Sequence, residues 1–337
     1  MEIISKKLAK ILFKWQSIYT ILIFSIFGFM LSTTQFFGQS RDYLNYVDIF
    51  DQARSNGLNT LFETRIEPGF IALSIILTQL ISANVIVYSL IVFASLLLKG
   101  WIISNKLLST KIFFLVATFY LVRFFPIHEL TQLRIGLAIS LVLAGSILLW
   151  SGYVFVGTLI CIFSMLFHIS AAAIIPALYI YTPKRWKVAL ISLTFFLISF
   201  FLAGLATEYL SGFLSILKDY EANEQFGELK PNIFAPYILI DLAMIIISII
   251  NWGKLTELMR RVIILEIIGF SIFYGAIEFS VIAIRIRELF SVFWILYLAD
   301  GIKQKGMVFF TCTFVLANII FYFYLFFLYE RIPFFLN

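Results

Sequence analysis

The sequence predicts an all-α, polytopic membrane protein. Hydrophobic residues make up 62% of the chain and charged residues only 13%, and this composition is typical of proteins that face lipid. Apolar runs long enough to cross a bilayer recur from one end to the other. Each run is expected to be a helix, because a helix satisfies its own backbone hydrogen bonds in lipid. The first run is too long for a signal-peptide core, so we expect a permanent first helix.

The apolar runs predict about eleven crossings, within a range of roughly ten to twelve. They cover residues 15–37, 69–98, 112–125, 131–150, 153–167, 169–181, 187–207, 236–252, 262–276, 280–299 and 307–329. The run 69–98 is too long for one straight helix and has Ser82, Ala83 and Asn84 midway. It predicts a broken helix that makes a net single crossing. No interdomain linker interrupts the sequence, so residues 1–337 are predicted to form a single membrane domain.

The basic residues predict the orientation of these helices. Most Lys and Arg lie in the N-terminal tail and in segments 99–111, 184–187, 254–261 and 303–305. Basic residues favour the cytoplasmic side of a membrane, so the net charge of +6 reflects topology and does not indicate a nucleic-acid partner. The polar loops 38–68 and 208–235 hold more than half of the acidic residues. Both loops are predicted to face outward.

Four arginines, Arg123, Arg134, Arg285 and Arg287, lie inside or at the edges of the apolar runs. A guanidinium in lipid is costly and needs a partner. A polyvalent anion such as a diphosphate can satisfy several at once, because guanidinium groups bind phosphate in a bidentate manner. We rank Arg134, Arg285 and Arg123, in that order, as anion ligands. Arg287 is equally well explained as half of a structural ion pair.

A candidate general base, His168, separates two short apolar runs near the predicted outer face. Histidine titrates near neutral pH and therefore suits proton transfer. Glu67 and Asp42 of loop 38–68 are the alternatives. Structural explanations stay open, because His168 could join two helices and Glu67-Pro68-Gly69 is typical of a helix start.

Three other polar residues are predicted to be structural. His128 lies in the short turn between two runs, where a solvated loop position is expected. Asp241 and Glu266 lie within apolar runs, where pairing with Arg285 or another cation, or a polar cavity, would explain them. The sequence has no Asp-x-Asp motif and no histidine pair at ligand spacing, so we predict no metal and no cofactor.

Five short motifs together resemble a known family. They are Asp42-Tyr43-Leu44-Asn45-Tyr46, Glu67-Pro68-Gly69-Phe70, Gln132-Leu133-Arg134, Phe167-His168-Ile169-Ser170-Ala171 and Arg285-Ile286-Arg287-Glu288-Leu289-Phe290. Their order and spacing over residues 40–295 are similar to those of the EpsG-like family of Wzy-type bacterial polysaccharide polymerases.

The resemblance implies a membrane glycosyltransferase with a GT-C-like architecture. Such a polymerase joins oligosaccharide repeats carried on undecaprenyl diphosphate at the outer, periplasmic face of the bacterial inner membrane, as in O-antigen or exopolysaccharide synthesis. The expected partners are these lipid-linked oligosaccharides, membrane lipid and a chain-length regulator. The implied roles are diphosphate binding by Arg134, Arg285, Arg123 and Arg287, catalysis by His168, Glu67 and Asp42, and substrate contact by Tyr43, Tyr46 and Gln132.

Two other functions fit parts of the same pattern. A flippase for lipid-linked oligosaccharides needs a cationic cavity that opens to both faces, whereas the predicted topology gathers the arginines at one face. A membrane acyltransferase with His168 as base would be expected to pair that histidine with a nearby Asp or Asn. The run Phe167-His168-Ile169-Ser170 offers neither. The polymerase is therefore the preferred prediction.

Overall fold

The computed structural model describes residues 2–36, 39–40, 42–106, 110–180, 184, 187–209, 232–277, 279–328 and 335–336. Within these ranges all regular secondary structure is helical apart from one short antiparallel pair, in which β1 (Gln39–Ser40) meets β2 (Phe335–Leu336). The chain divides into two compact units, the first comprising residues 1–175 and 318–337 and the second residues 176–317.

The first unit is built from the N-terminal helices. Their bounds are α1 Glu2–Thr33, α2 Tyr43–Asn56, α3 Thr60–Glu63, α4 Pro68–Leu80, α5 Asn84–Lys106, α6 Thr110–Arg123, α7 Leu133–Trp150 and α8 Val154–Ser164. A π-helical turn, Phe125–Glu129, precedes α7, and a 3-10 turn, Ile169–Ala173, follows α8. α7 is buried on nearly all sides and contacts α5, α8 and the π turn. An all-round apolar sequence is expected of a helix in this position.

The remaining helices follow in the sequence from Ile175, where the chain passes from the first unit to the second. Their bounds are α9 Ile175–Leu178, α10 Lys187–Tyr209, α11 Pro236–Ile250, α12 Glu257–Gly275, α13 Ser280–Ser291, α14 Trp294–Gly301 and α15 Val308–Phe323. α12 is the central helix of the second unit, where it contacts α10, α11, α13 and α14.

Three helical segments in the described ranges are long and apolar enough to cross a membrane: Asn84–Ser104, Leu133–Trp150 and Val308–Phe326. Seven shorter helices of 10–17 residues are also apolar. These segments support a helical membrane protein. The predicted number of about eleven crossings is not confirmed.

The predicted break in residues 69–98 is confirmed, because α4 ends at Leu80 and α5 begins at Asn84. Arg54 of α2 stabilises the segment between α4 and α5 by donating to the Ser82 main-chain oxygen at 2.9 Å and to Asn84 Oδ1 at 2.6 Å. Asp51 accepts hydrogen bonds from both Arg54 and Asn84, at 2.7 and 2.9 Å. The polar groups exposed by the break are therefore satisfied by α2, as buried or bent backbone requires.

Two residues that the sequence assigned to loops lie in the core instead. α5 continues to Lys106, so Lys99 is a helical residue, and its side chain is fully buried. His128 and Glu129 are fully buried within the π turn. The predictions of Lys99 as a cytoplasmic loop residue and of His128 as a solvated residue are therefore wrong. Lys99 is buried because it forms an ion pair with Glu129, with 2.5 Å between Nζ and Oε1, which lets both charges stay inside the unit. The His128 ring packs on Phe124 instead, with centroids 5.6 Å apart.

Candidate functional site

The first unit brings together Glu67, Arg134 and His168, which are predicted site residues from three distant parts of the sequence. Arg134 Nη1 donates to Glu67 Oε2 at 2.5 Å, and His168 Nδ1 lies 2.9 Å from Glu67 Oε1. The Ile169 main-chain N–H also donates to Oε1, at 3.2 Å. One carboxylate thus joins the start of α7 to the segment after α8. We call Glu67, Arg134 and His168 the Glu67 cluster.

Glu67 can make these contacts because of its position at the start of α4. It is the N-cap residue, and Pro68 is the first helical residue, as the Glu-Pro-Gly pattern predicts. An N-cap side chain commonly bonds the N–H groups of its own helix, but Glu67 makes no such bond. Gly69 permits close packing, because its N–H donates to the Leu166 oxygen at 2.8 Å and an added Cβ would crowd the same residue. Glu67 therefore points away from α4 and toward its neighbours.

His168 lies in the extended stretch between α8 and the 3-10 turn, with φ −160° and ψ 118°. Its predicted place at a junction between two short helices is confirmed. Its side chain is 10% exposed. A carboxylate beside Nδ1 favours the tautomer that carries its proton there, so Nε2 is the nitrogen able to accept a proton.

Arg134 is the most accessible member of the cluster, with 28% of its side chain exposed against 13% for Glu67. It lies in the first turn of α7, where Tyr46 of α2 also interacts with its guanidinium. Tyr46 is buried, and its ring packs on Phe70 and Tyr88 with centroids 5.8 Å apart in each case. A guanidinium has five N–H donors, and Glu67 engages Nη1. Arg134 is thus held in place while donors remain for an anion.

Two pKa values describe the electrostatics around Glu67. Burial alone would raise the pKa of Glu67, but the nearby His168 and the Arg134 charge together outweigh it and lower this pKa to about 2. Burial raises the pKa of Tyr46, despite the opposing effect of Arg134, so the phenol stays neutral. The Glu67 carboxylate is therefore ionised at neutral pH. The cluster carries no net charge when His168 is neutral and one positive charge when His168 is protonated.

The substitution Glu67→Gln should lower the thermal unfolding midpoint (Tm) at pH 7, and the difference should shrink as the pH falls from 4.5, the usual pKa, toward about 2. The pKa of Glu67 is depressed in the folded state, so its stabilising effect is present above the unfolded pKa and lost on acidification. Tm measured in detergent from pH 7 to 3 tests this. A difference that stays constant to the lowest pH would exclude the Glu67 charge as its cause.

The other predicted residues of this region lie on the elements that carry the cluster. Asp42 directly precedes α2, and its main-chain oxygen accepts from the Tyr46 N–H at 3.1 Å. Tyr43 packs on Tyr88, with ring centroids 5.4 Å apart. Gln132 directly precedes α7, the helix that holds Arg134. The motifs around residues 42–46, 67–70, 132–134 and 167–171 thus meet within the first unit.

Arg123 has a different environment in the same unit. It is the last residue of α6, where the helix dipole favours a cation, and it is 3% exposed. Its Nη1 donates to Asn318 Oδ1 at 2.7 Å, and its guanidinium lies 5.0 Å from the Phe124 ring and 5.6 Å from the Tyr322 ring. These contacts support a structural role through hydrogen bonding and cation–π attraction.

The second unit holds Arg285 and Arg287 on α13. Residues two apart on a helix point in different directions. Arg287 is 4% exposed and donates to Asp241 and, at 2.8 Å, to Glu266. The partner expected for these carboxylates was Arg285 or another cation, and the structure identifies it as Arg287. Arg285 is partly exposed.

Arg287→Met should greatly reduce the yield of folded protein, because it leaves Asp241 and Glu266 buried without their cation. Breaking a buried ion pair from one side costs about 3–5 kcal/mol. Size-exclusion chromatography and Tm in detergent give the measurement. Arg287→Met combined with Asp241→Asn and Glu266→Gln is the matched control, and it should recover most of the folded yield. A stable Arg287→Met protein that has lost only activity would instead make Arg287 a ligand.

The described residues contain no group of three or more His, Cys, Asp or Glu arranged to hold a metal ion. Most of the predicted outer loop 208–235, namely residues 210–231, lies outside the described residues.

Comparison with known proteins agrees with the motifs. The sequence matches the EpsG family over residues 18–335. No curated protein and no solved structure matches it. The family match includes both units and all five motifs, so the resemblance found in the sequence is confirmed. The chain belongs to the EpsG family.

Proposed function

We propose that this membrane protein polymerises oligosaccharide repeats carried on undecaprenyl diphosphate, at the outer face of the bacterial inner membrane. Membership of the EpsG family supports a polysaccharide polymerase role. The observation that carries the proposal is the Glu67 carboxylate, which contacts both Arg134 and His168. A cation for the leaving group and a candidate base for the attacking hydroxyl therefore lie side by side.

In the proposed reaction, a sugar hydroxyl of the incoming repeat attacks the anomeric carbon of the growing chain. The new glycosidic C–O bond forms while the bond from that carbon to the diphosphate oxygen breaks. Undecaprenyl diphosphate leaves with the bonding electron pair. The hydroxyl proton passes to His168 Nε2, which can accept it because Glu67 favours the proton of the neutral ring at Nδ1.

Arg134 supplies the charge that stabilises the departing diphosphate. Preorganised donors aimed at developing negative charge are among the largest contributors to catalysis, and a planar guanidinium matches phosphate geometry. Arg285 stays a predicted anion ligand. Arg123 is held by Asn318 and two aromatic rings, and the two carboxylates beside Arg287 oppose binding of an anion there. An arginine site also needs no metal ion to neutralise the leaving group.

The remaining residues take supporting roles in this proposal. Asp42 is the alternative base, and Tyr43 and Gln132 are proposed to contact the sugars. Tyr46 is buried beneath Phe70 and Tyr88, so we assign it to the support of Arg134 and not to direct sugar contact.

A second candidate function gains support from one contact. The sequence next to His168 offers no carboxylate partner, which argued against an acyltransferase. Glu67, at the start of α4, lies beside His168 in the structure and is such a partner. The same histidine and carboxylate could activate a sugar hydroxyl toward an acyl donor. The EpsG family and the accessible Arg134 favour the polymerase.

Purified protein incubated with the undecaprenyl-diphosphate repeat of its host, with EDTA present, tests the proposal. A product ladder spaced by one repeat is expected from the native protein, and it should be lost in folded Arg134→Ala and His168→Ala variants. Product that grows only by an acyl group when an acyl donor is added would favour the acyltransferase. Movement of labelled lipid between liposome leaflets without a ladder would favour a flippase.

A further inference from the structure

A buried polar cluster lies behind the first turn of α7. Its centre is the Lys99 ammonium, which donates to Ser95 Oγ at 2.8 Å, to Glu129 Oε1 at 2.5 Å and to the Gly136 main-chain oxygen at 2.8 Å. An ammonium has three N–H donors, so every one of them is used. Lys99 is completely buried, and its three hydrogen bonds join α5, the π turn and α7.

Glu129 is held from several further directions. Its Oε1 also accepts from Tyr120 Oη at 2.6 Å and from Ser95 Oγ at 3.1 Å. Its main-chain oxygen accepts from Tyr88 Oη at 3.1 Å. Such a network fixes the position of the π turn relative to α5 and α6, because each bond in a buried network has a required direction.

The same cluster reaches Arg134 by two routes. Gly136 is two residues after Arg134 in the first turn of α7, so the bond from Lys99 to Gly136 holds the backbone that carries this arginine. Tyr88, which bonds Glu129, also packs on Tyr46, and Tyr46 interacts with the Arg134 guanidinium. Gly136 is required for this arrangement, since a Cβ there would collide with the His128 main-chain oxygen.

We propose that Lys99 and Glu129 are positioning residues for Arg134. The inference rests on the proposed function of Arg134, and it assigns to the buried pair the task of aiming that guanidinium at Glu67 and at the leaving diphosphate. Buried ion pairs add little net stability, because desolvation offsets their attraction. Their directional bonds are what a pair of apolar residues would lack. A shift of about 1 Å in a positioning group can cost about a hundredfold in rate.

The test measures how strongly Glu67 and Arg134 are coupled, with and without the buried pair. Tm is measured for Glu67→Gln, Arg134→Gln and their combination, first in the native background and then in Lys99→Met/Glu129→Gln. The combined substitution removes both charges, so folding should be retained. We expect the coupling to disappear in this background and kcat to fall by about ten- to a hundredfold with little change in KM. The i,i+4 pair of Glu257 and Arg261 on α12, replaced by Gln and Met, is the matched control and should leave both unchanged.

Coupling that persists unchanged in Lys99→Met/Glu129→Gln would overturn the inference and leave the pair a purely structural one. If that protein does not fold, Tyr88→Phe decides, because it deletes one hydroxyl bond to Glu129 and keeps the ring packing. Weaker coupling in Tyr88→Phe supports positioning through Glu129, and unchanged coupling refutes that part of the inference. The coupling is measured without any substrate, so a native protein that makes no ladder would refute the polymerase and leave this result interpretable.

Discussion

Replacing Arg134 by alanine should lower kcat for chain extension by about a hundred- to a thousandfold, the usual cost of deleting one preorganised donor to developing charge. Arg134 is the accessible cation of the Glu67 cluster, and its loss leaves the leaving diphosphate without that charge. Because the guanidinium is proposed to act mainly in the transition state, kcat and kcat/KM should fall together. Initial rates of ladder formation over a range of lipid-linked repeat concentrations give both constants.

Arg134→Lys and Arg261→Ala are the controls for this result. Lysine keeps the charge but lacks the planar pair of donors, so Arg134→Lys should recover only part of the rate. Arg261 pairs with Glu257 four residues earlier on α12, a type of pair that contributes only about 0.3–0.5 kcal/mol, so Arg261→Ala should remain fully active. Full activity in folded Arg134→Ala would remove Arg134 from the reaction.

Replacing His168 by alanine should slow chain extension by about a hundred- to ten-thousandfold, the range over which general bases contribute. The ring lies against Glu67 through Nδ1, so its removal takes away the proposed proton acceptor and leaves the Arg134 pair with Glu67 in place. Binding of undecaprenyl diphosphate should therefore be almost unchanged. Rate measurements together with binding of the lipid diphosphate to the same purified protein separate the two effects.

His168→Gln is the informative companion variant, because glutamine can still donate to Glu67 but cannot accept a proton at neutral pH. It should be as slow as His168→Ala while retaining the native Tm. A glutamine variant with native activity would show that His168 serves only to join the helices. Asp42→Asn would then be the next substitution for the search for a base.

Each member of the Glu67 cluster could be predicted as a site residue from its local sequence. Glu67 precedes Pro68 and Gly69, a helix start, and His168 interrupts two apolar runs. Arg134 lies at the start of a long apolar helix, where a charged side chain is costly and therefore indicates a function. Their meeting at one carboxylate was not predictable, because it depends on how α4, α7 and the segment after α8 pack. Local sequence carries no distance between residues so far apart.

The buried charges were harder to interpret from sequence. Lys99 follows an apolar run and resembles a loop lysine. Its burial depends on its ion pair with Glu129, which lies in the π turn after α6. The available signal was one acid and one base at the edges of neighbouring apolar runs. Arg287 shows the same limit, since its partners Asp241 and Glu266 lie on two other helices. In each case the tertiary partner decides whether a charge marks a loop or the core.

Arg54, by tying α2 to the break between α4 and α5, makes the segment that carries Asp42 and Tyr43 part of the scaffold and not a mobile lid. A surface fixed in advance of binding loses little entropy when it meets a glycan. Under the proposed function, we expect different sugars to be distinguished by side chains on the exposed face of α2, such as Leu44, Asn45 and Asp48. We expect substitution of these residues to change the relative rates of chain extension with different lipid-linked repeats while leaving the fold intact.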